Sequence, residues 1–130
     1  QVDKAQQRFM EALAEFEYAP AYNNLGTAYL RDKNYMAAIR AYKKAIALDG
    51  NNATHHFNLG LAFQKAVQNE GAVQAFDQAI ALQPSYAKAY LSMALSYQRM
   101  GNLPAARQSL QRLLQVEPKN ATAARLLARL

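Results

Sequence analysis

The strongest constraint on this chain is that its sequence repeats with a period of 34 residues. Gly26 falls on Gly60 and then on Ala94; Leu25 falls on Leu59 and Met93; Tyr29 falls on Phe63 and Tyr97. Further along the unit, Ala38, Ala72 and Ala106 align, as do Tyr42, Phe76 and Leu110, then Ala45, Ala79 and Leu113. Pro84 aligns with Pro118. Self-similarity at this spacing means one supersecondary unit built several times. A single such unit cannot bury its apolar face, so the copies must stack and share a continuous core.

The unit reads as two helices. Tyr22, Leu25 and Tyr29 stand at i, i+3 and i+7, one face of a helix. In the second copy Leu59, Ala62, Phe63 and Ala66 form the same stripe, and Val73, Phe76 and Ile80 answer it from a second helix. Gly26, Gly60 and Ala94 on the first helix, with Ala38, Ala72 and Ala106 on the second, are small enough for close helix packing. Asp49 to Asn52 and Gln83 to Ser85 break the chain between units; Arg31 to Asn34 and Gly101 with Asn102 turn it within them. Pro104 falls in the first turn of a helix, where its missing N–H costs little. Only 5 Gly and 4 Pro interrupt long stretches of strong helix formers, so the class is all-α. An apolar content of 52% excludes a disordered chain.

These positions resemble the tetratricopeptide-repeat family, whose pattern runs aromatic-x2-Leu-Gly-x2-Tyr, then Ala-x3-Phe-x2-Ala, then Pro. The first copy carries Tyr22, Leu25, Gly26, Tyr29, Ala38, Tyr42 and Ala45; the second carries His56, Leu59, Gly60, Phe63, Ala72, Phe76, Ala79 and Pro84. The third is looser, with Met93, Ala94, Leu110 and Leu113. Gly50 stands where Pro is usual, and His56 replaces the first aromatic. The resemblance covers residues 19–118 fully and both ends in part. It implies a right-handed α-solenoid of antiparallel helix pairs, a TPR-like superhelix. Residues 1–18 form an N-terminal helix resembling a half repeat, in which Ala5, Phe9 and Ala12 echo a second helix. Its linker to Tyr22 is one residue short of the other copies, so irregular packing is expected there. Repeats span 19–52, 53–86 and 87–120. Residues 121–130 form a truncated fourth-repeat or capping helix, giving eight helices in all. Leu126, Leu127 and Leu130 leave that edge without a polar cap, which points to continuation of the chain or to pairing of the edge.

Catalytic chemistry has no foothold in this sequence. It carries no Gly-rich phosphate loop, nucleophile elbow or paired-carboxylate cluster, so no enzyme and no cofactor is expected. His55 and His56 are adjacent and point about 100° apart on a helix, whereas a metal pair wants i, i+4 spacing. His56 takes a core aromatic position. Asn52 and Asn120 open glycosylation sequons, but each precedes a first helix and is more simply its N-cap. The aromatic side chains Tyr22, Tyr29, Tyr42, Phe63, Phe76, Tyr90 and Tyr97 all occupy repeat-pattern positions and read as core rather than as base-stacking platforms. No apolar run reaches the ~20 residues that cross a bilayer. Without cysteine the compartment stays open, a cytoplasmic one being slightly favoured. The start at Gln1 reads as a processed protein or an excised fragment.

What remains is binding. In the family resembled here, the first helices of the repeats line a concave surface where ligand peptides lie. Positions left free by the packing stripe should face that groove: Asn23, Asn24, Thr27 and Leu30 in the first copy, Thr54, Phe57, Asn58, Leu61 and Gln64 in the second. Lys88, Leu91, Ser92, Leu95 and Arg99 follow in the third, and Arg125 and Arg129 at the end. Phe57, Leu61, Leu91 and Leu95 would form an exposed apolar patch of the kind that marks a binding site, or would pack between neighbouring first helices. Asn24 and Asn58 can hold a peptide backbone through amide donor and acceptor together. From Arg99 onward six basic residues face a single acid, Glu117, within a net charge of +6. The expected partner is another protein, presenting a peptide or helix segment with apolar anchors and acidic flanks. Self-assembly through the unfinished ends is the alternative. Nucleic acid is disfavoured because acids from Asp3 to Asp49 interrupt any basic stripe. Clamping of a chaperone's acidic tail would use Asn23, Thr27, Asn58, Lys88 and Ser92, of which only Asn58 and Lys88 carry the family's clamp residues.

Overall fold

The computed structural model describes residues 3–15 and 17–130, with side chains 12–15 left aside. Among the described residues there are eight α-helices and no strand: α1 (Lys4–Glu15), α2 (Ala19–Arg31), α3 (Tyr35–Leu48), α4 (Ala53–Lys65), α5 (Asn69–Leu82), α6 (Ala87–Arg99), α7 (Leu103–Val116) and α8 (Ala121–Arg129). None of them is long and apolar enough to cross a membrane. Each helix packs on the next in sequence, and α4 also touches α2 and α6, which is the one-dimensional stacking expected of an all-α solenoid.

The boundaries follow from backbone chemistry. Asparagine side chains cap four helix starts, accepting from backbone N–H groups: Asn34 from Ala37 at 3.4 Å, Asn52 from Thr54 at 3.0 Å, Asn102 from Ala105 at 3.2 Å and Asn120 from Ala123 at 2.9 Å. Asn52 and Asn120 thus act as the N-caps expected. Pro104 lies in the first turn of α7. Between α2 and α3, α4 and α5, and α6 and α7 the same turn recurs. Lys33, Val67 and Gly101, one period apart, all take the left-handed conformation, with φ of 62°, 59° and 77°. The N–H that follows each reaches back over the turn, Asn34 to Tyr29, Gln68 to Phe63 and Asn102 to Tyr97, at 2.8–2.9 Å.

The core consists of two clusters that meet at α4 and α5. One gathers Ala38, Ile39, Tyr42, Leu59, Ala62 and Ala75; the other runs from Ala72 and Phe76 through Tyr90, Met93 and Leu110 to Ala123. Tyr42, Phe76 and Tyr90 are buried as expected, while Tyr22, Tyr29, Phe63 and Tyr97 are half-buried. The small positions explain themselves. A Cβ on Gly26 would lie 2.7 Å from the Tyr42 ring, and one on Gly60 would lie 2.5 Å from the Phe76 ring. In the third pair the glycine becomes Ala94 and the aromatic becomes Leu110, so a smaller partner accepts the added methyl.

At the N-terminal end α1 packs on α2. Its buried Gln6 donates to the Asp32 carboxylate at 2.7 Å and accepts from the Asp3 N–H at 3.1 Å, while Asp3 accepts from the Gln6 N–H at 2.9 Å. That reciprocal pair is a capping box. Ala5 and Phe9 are half-buried; the side chain of Ala12 lies outside the described residues.

Candidate functional site

The helices α2, α4 and α6 stand side by side, and polar side chains stitch them together where their packing stripes end. Asn58 donates to the Asn23 side-chain oxygen at 3.0 Å, linking α4 to α2. His55 shares that acceptor through Nδ1, at 3.3 Å. Gln64 donates to the Ser92 carbonyl at 3.1 Å and to the Ser96 hydroxyl at 2.9 Å, linking α4 to α6. These bonds matter because buried amides must be satisfied, and here each satisfies its neighbour across a helix boundary.

This stitching sorts the residues read from sequence. Asn24, Thr27, Lys88, Leu95, Arg99 and Arg125 are exposed; Asn23, Phe57, Asn58, Leu61, Leu91 and Ser92 are half-buried. Thr27 is committed in part, its hydroxyl donating to the Asn23 carbonyl at 3.1 Å and meeting the Tyr42 hydroxyl at 2.9 Å. Burial pushes the Tyr42 phenol up, so it stays protonated in this pair. Gln64, read as groove-facing, is buried in the joint between α4 and α6.

The apolar residues also divide. The Phe57 ring stacks on Tyr86 with centroids 4.9 Å apart and leans on Phe76 at 5.6 Å. Leu61 and Leu91 pack against the same cluster. Leu95 remains 39% exposed, so the open apolar surface is narrower than the four-residue patch. It is concentrated at the C-terminal end, where a cavity of about 290 Å³ opens between α6, α7 and α8. Leu91 and Leu95 form one wall, Leu126 and Leu130 the other, and Arg129 and Gln98 bring the polar groups to its lining. Arg129 rather than Arg125 therefore joins this cavity. Leu130 is held there through its carbonyl, which accepts from Arg107 at 3.1 Å.

His55 is the residue that sequence reasoning passed over. It is buried, while His56 at the aromatic position is half-exposed. The aligned positions Ala21 and Ala89 are both buried, and that is the signal that could have found it. Its Nε2 lies 3.7 Å from the Asp49 carboxylate and lacks a hydrogen bond among the described residues. Burial lowers its pKa below the usual histidine value, outweighing the attraction of Asp49, and the neighbouring His56 lowers it further.

A family model described as tetratricopeptide repeat matches residues 64–130, and a second, described as TPR repeat, matches residues 26–66. Among solved structures, a crystal structure of MamA superposes with a TM-score of 0.86 at 23% identity, over 98% of this chain and 82% of that one. A second MamA crystal structure is 31% identical with a TM-score of 0.76, over 82% of this chain and 58% of that one. The second TPR domain of human RPAP3, solved by NMR in complex with the HSP70 peptide SGPTIEEVD, is 32% identical. Its TM-score is 0.77, over 85% of this chain and 92% of that one. No curated protein sequence matches the chain.

Proposed function

The chain belongs to the tetratricopeptide-repeat family, and on that premise we propose that it is a protein-interaction scaffold without catalytic chemistry of its own. It holds a peptide or helical segment of another protein along the face of α2, α4 and α6. The observation that carries this reading is the cavity between α6, α7 and α8, whose leucine walls sit beside Arg129 at the end of that face. An apolar side chain of the partner fills the cavity, and acidic neighbours meet Arg129 and Lys88. The related RPAP3 domain holds an acidic chaperone peptide, which supports peptide binding as the mode.

The terminal-tail clamp is not the version favoured here. Of Asn23, Thr27, Asn58, Lys88 and Ser92, only Asn58 and Lys88 match the clamp residues, and the Asn58 amide is already given to Asn23. We therefore expect an internal segment rather than a free C-terminus. Self-assembly through the ends has less support, because Leu126, Leu127 and Leu130 all pack against the core cluster.

The test is a pull-down comparing the native chain with a Lys88→Glu, Leu95→Glu variant, both sites being exposed so that the fold is spared. Retained partners are identified by mass spectrometry, and the peptide SGPTIEEVD serves as a separate probe. A partner held by the native chain, lost with the variant and weakened by salt is the expected result. Equal capture by both chains defeats the groove reading, and tight binding of the chaperone peptide restores the terminal clamp.

A further inference from the structure

The opposite side of the array carries a feature that the repeat pattern exposes by comparison with itself. At two joints between units an aligned cation and an aligned tyrosine form a latch with an acid, which comes from the linker before α2 at the first joint and from α5 at the last. At the last joint Arg112 of α7 reaches back to Asp77 of α5 at 3.5 Å and lies 5.5 Å from the centre of the Tyr90 ring. At the first joint Lys44 pairs with Glu17 at 3.0 Å and lies 5.8 Å from the Tyr22 ring centre. A cation over a tyrosine, tied to an acid, stands at each of these joints.

The middle joint lacks the latch. One period from Tyr22 and Tyr90 stands His56, one period from Lys44 and Arg112 stands Gln78, and Lys43 takes the place of Asp77. The anchoring of the ring survives the change. His56 donates from Nε2 to the Gly50 carbonyl at 2.9 Å, as the Tyr90 hydroxyl donates to the aligned Pro84 carbonyl at 2.8 Å. The latch does not survive, and a cleft of about 300 Å³ opens between α3 and α5. Its floor is Leu59 and Phe63 of α4, its walls include Ile46 and Gln78, and the small Gly71 and Ala75 leave the α5 side low. At the first joint the aligned positions, Tyr22 and Lys44 among them, line a smaller cavity of about 220 Å³, so the latch narrows this site without closing it.

We propose that this cleft is a second binding site, on the face opposite the α2–α4–α6 surface, for a segment of a partner protein that sets an apolar side chain beside a carboxylate. The apolar side chain lies on Leu59 and Phe63, and the carboxylate meets Lys43. The charge pattern selects this occupant. Lys43 is exposed, sits 5.4 Å from the Phe63 ring centre and has no carboxylate partner among the described residues. No described side chain lining the cleft is acidic, so a carboxylate on the partner segment is the charge complement that Lys43 can take up there.

The array itself supplies the variant that tests this. Lys43→Asp with His56→Tyr and Gln78→Arg transplants the last joint's latch into the middle one, narrowing the cleft and removing its free cation with a geometry the fold already accepts. Lys43→Glu alone keeps the cleft open and reverses its charge. A random-peptide display library is selected on the native chain, and enriched peptides are measured against both variants and against the Lys88→Glu, Leu95→Glu chain. The expected result is a consensus with an apolar residue next to an acid, whose affinity falls about tenfold or more in both cleft variants, the scale of one lost desolvated charge pair. Affinity for the Lys88→Glu, Leu95→Glu chain stays unchanged. Selection that yields no such consensus overturns the proposal, as does binding indifferent to both cleft variants. If the cleft variants alter only the mass of the chain in solution, the cleft belongs to a second copy and the proposal fails in that way.

Discussion

At the scale of single residues the array is tuned by exchanges of volume and backbone freedom. Gly60 lies under the Phe76 ring, so Gly60→Ala should destabilise the fold by roughly 1–3 kcal/mol, the usual cost of overpacking a core. Phe76→Leu in the same chain should recover part of that loss, because it recreates the Ala94 and Leu110 pairing of the third unit. Urea denaturation of the two variants checks both signs, and equal loss in single and double variants would show that the ring is not the obstacle. Val67 is the opposite case. It is 77% exposed and holds φ at 59°, where a β-branched residue is strained. Val67→Gly, copying Gly101, should stabilise by about 1 kcal/mol, since relief of the left-handed strain exceeds the added chain entropy. The shift in denaturation midpoint reads it directly.

At the scale of elements the joint between the α2–α3 pair and α4 holds the one buried titratable histidine among the described residues. His55 is flanked by Asn23 and Asp49 from the preceding pair and by His56 on its own helix. Its folded pKa lies below the ordinary histidine value of 6.5. Below pH 6.5 the unfolded chain therefore binds the proton more readily than the folded one, and the imbalance costs stability. That stability is fully present above pH 6.5 and is lost as pH falls through the depressed folded value. Thermal melts of the native chain across that window should show the decline. His55→Ala, which copies Ala21 and Ala89, should flatten that part of the profile. An unchanged slope would mean that the carboxylates, not this joint, set the acid sensitivity.

At the scale of the whole molecule, contacts run only between neighbours, so damage should stay local. Asn120 caps α8 from 2.9 Å and also donates to the Glu117 carboxylate at 3.0 Å. Asn120→Ala should cost about 1 kcal/mol, and amide hydrogen exchange should place the loss in α8 and the α6–α7 pair that supports it. Protection of α2 to α5 should be unaltered; uniform loss along the array would show that the units unfold as one. The two faces follow the same logic. A surface built from neighbours in a row can carry separate sites, because α4 floors the cleft on one side and joins the polar stitching on the other.

The sequence by itself determined the period, the eight helices, the capping roles of Asn52 and Asn120 and the small-residue positions. These rest on local chemistry, on spacing along a helix and on turn residues, all of which are visible in one dimension. Which free side chains remain free was decided only in the tertiary structure. Asn58 and Asn23 satisfy each other, Gln64 is buried against Ser96, Phe57 stacks on Tyr86, and His55 rather than His56 is enclosed. The reason is physical: a helix position is assigned to a face by its own spacing, but its exposure depends on how far the next helix leans over it. Lys43, His56 and Gln78 were all plain in the sequence, and only their meeting across α3, α4 and α5 turned three separate residues into the lining of one open cleft.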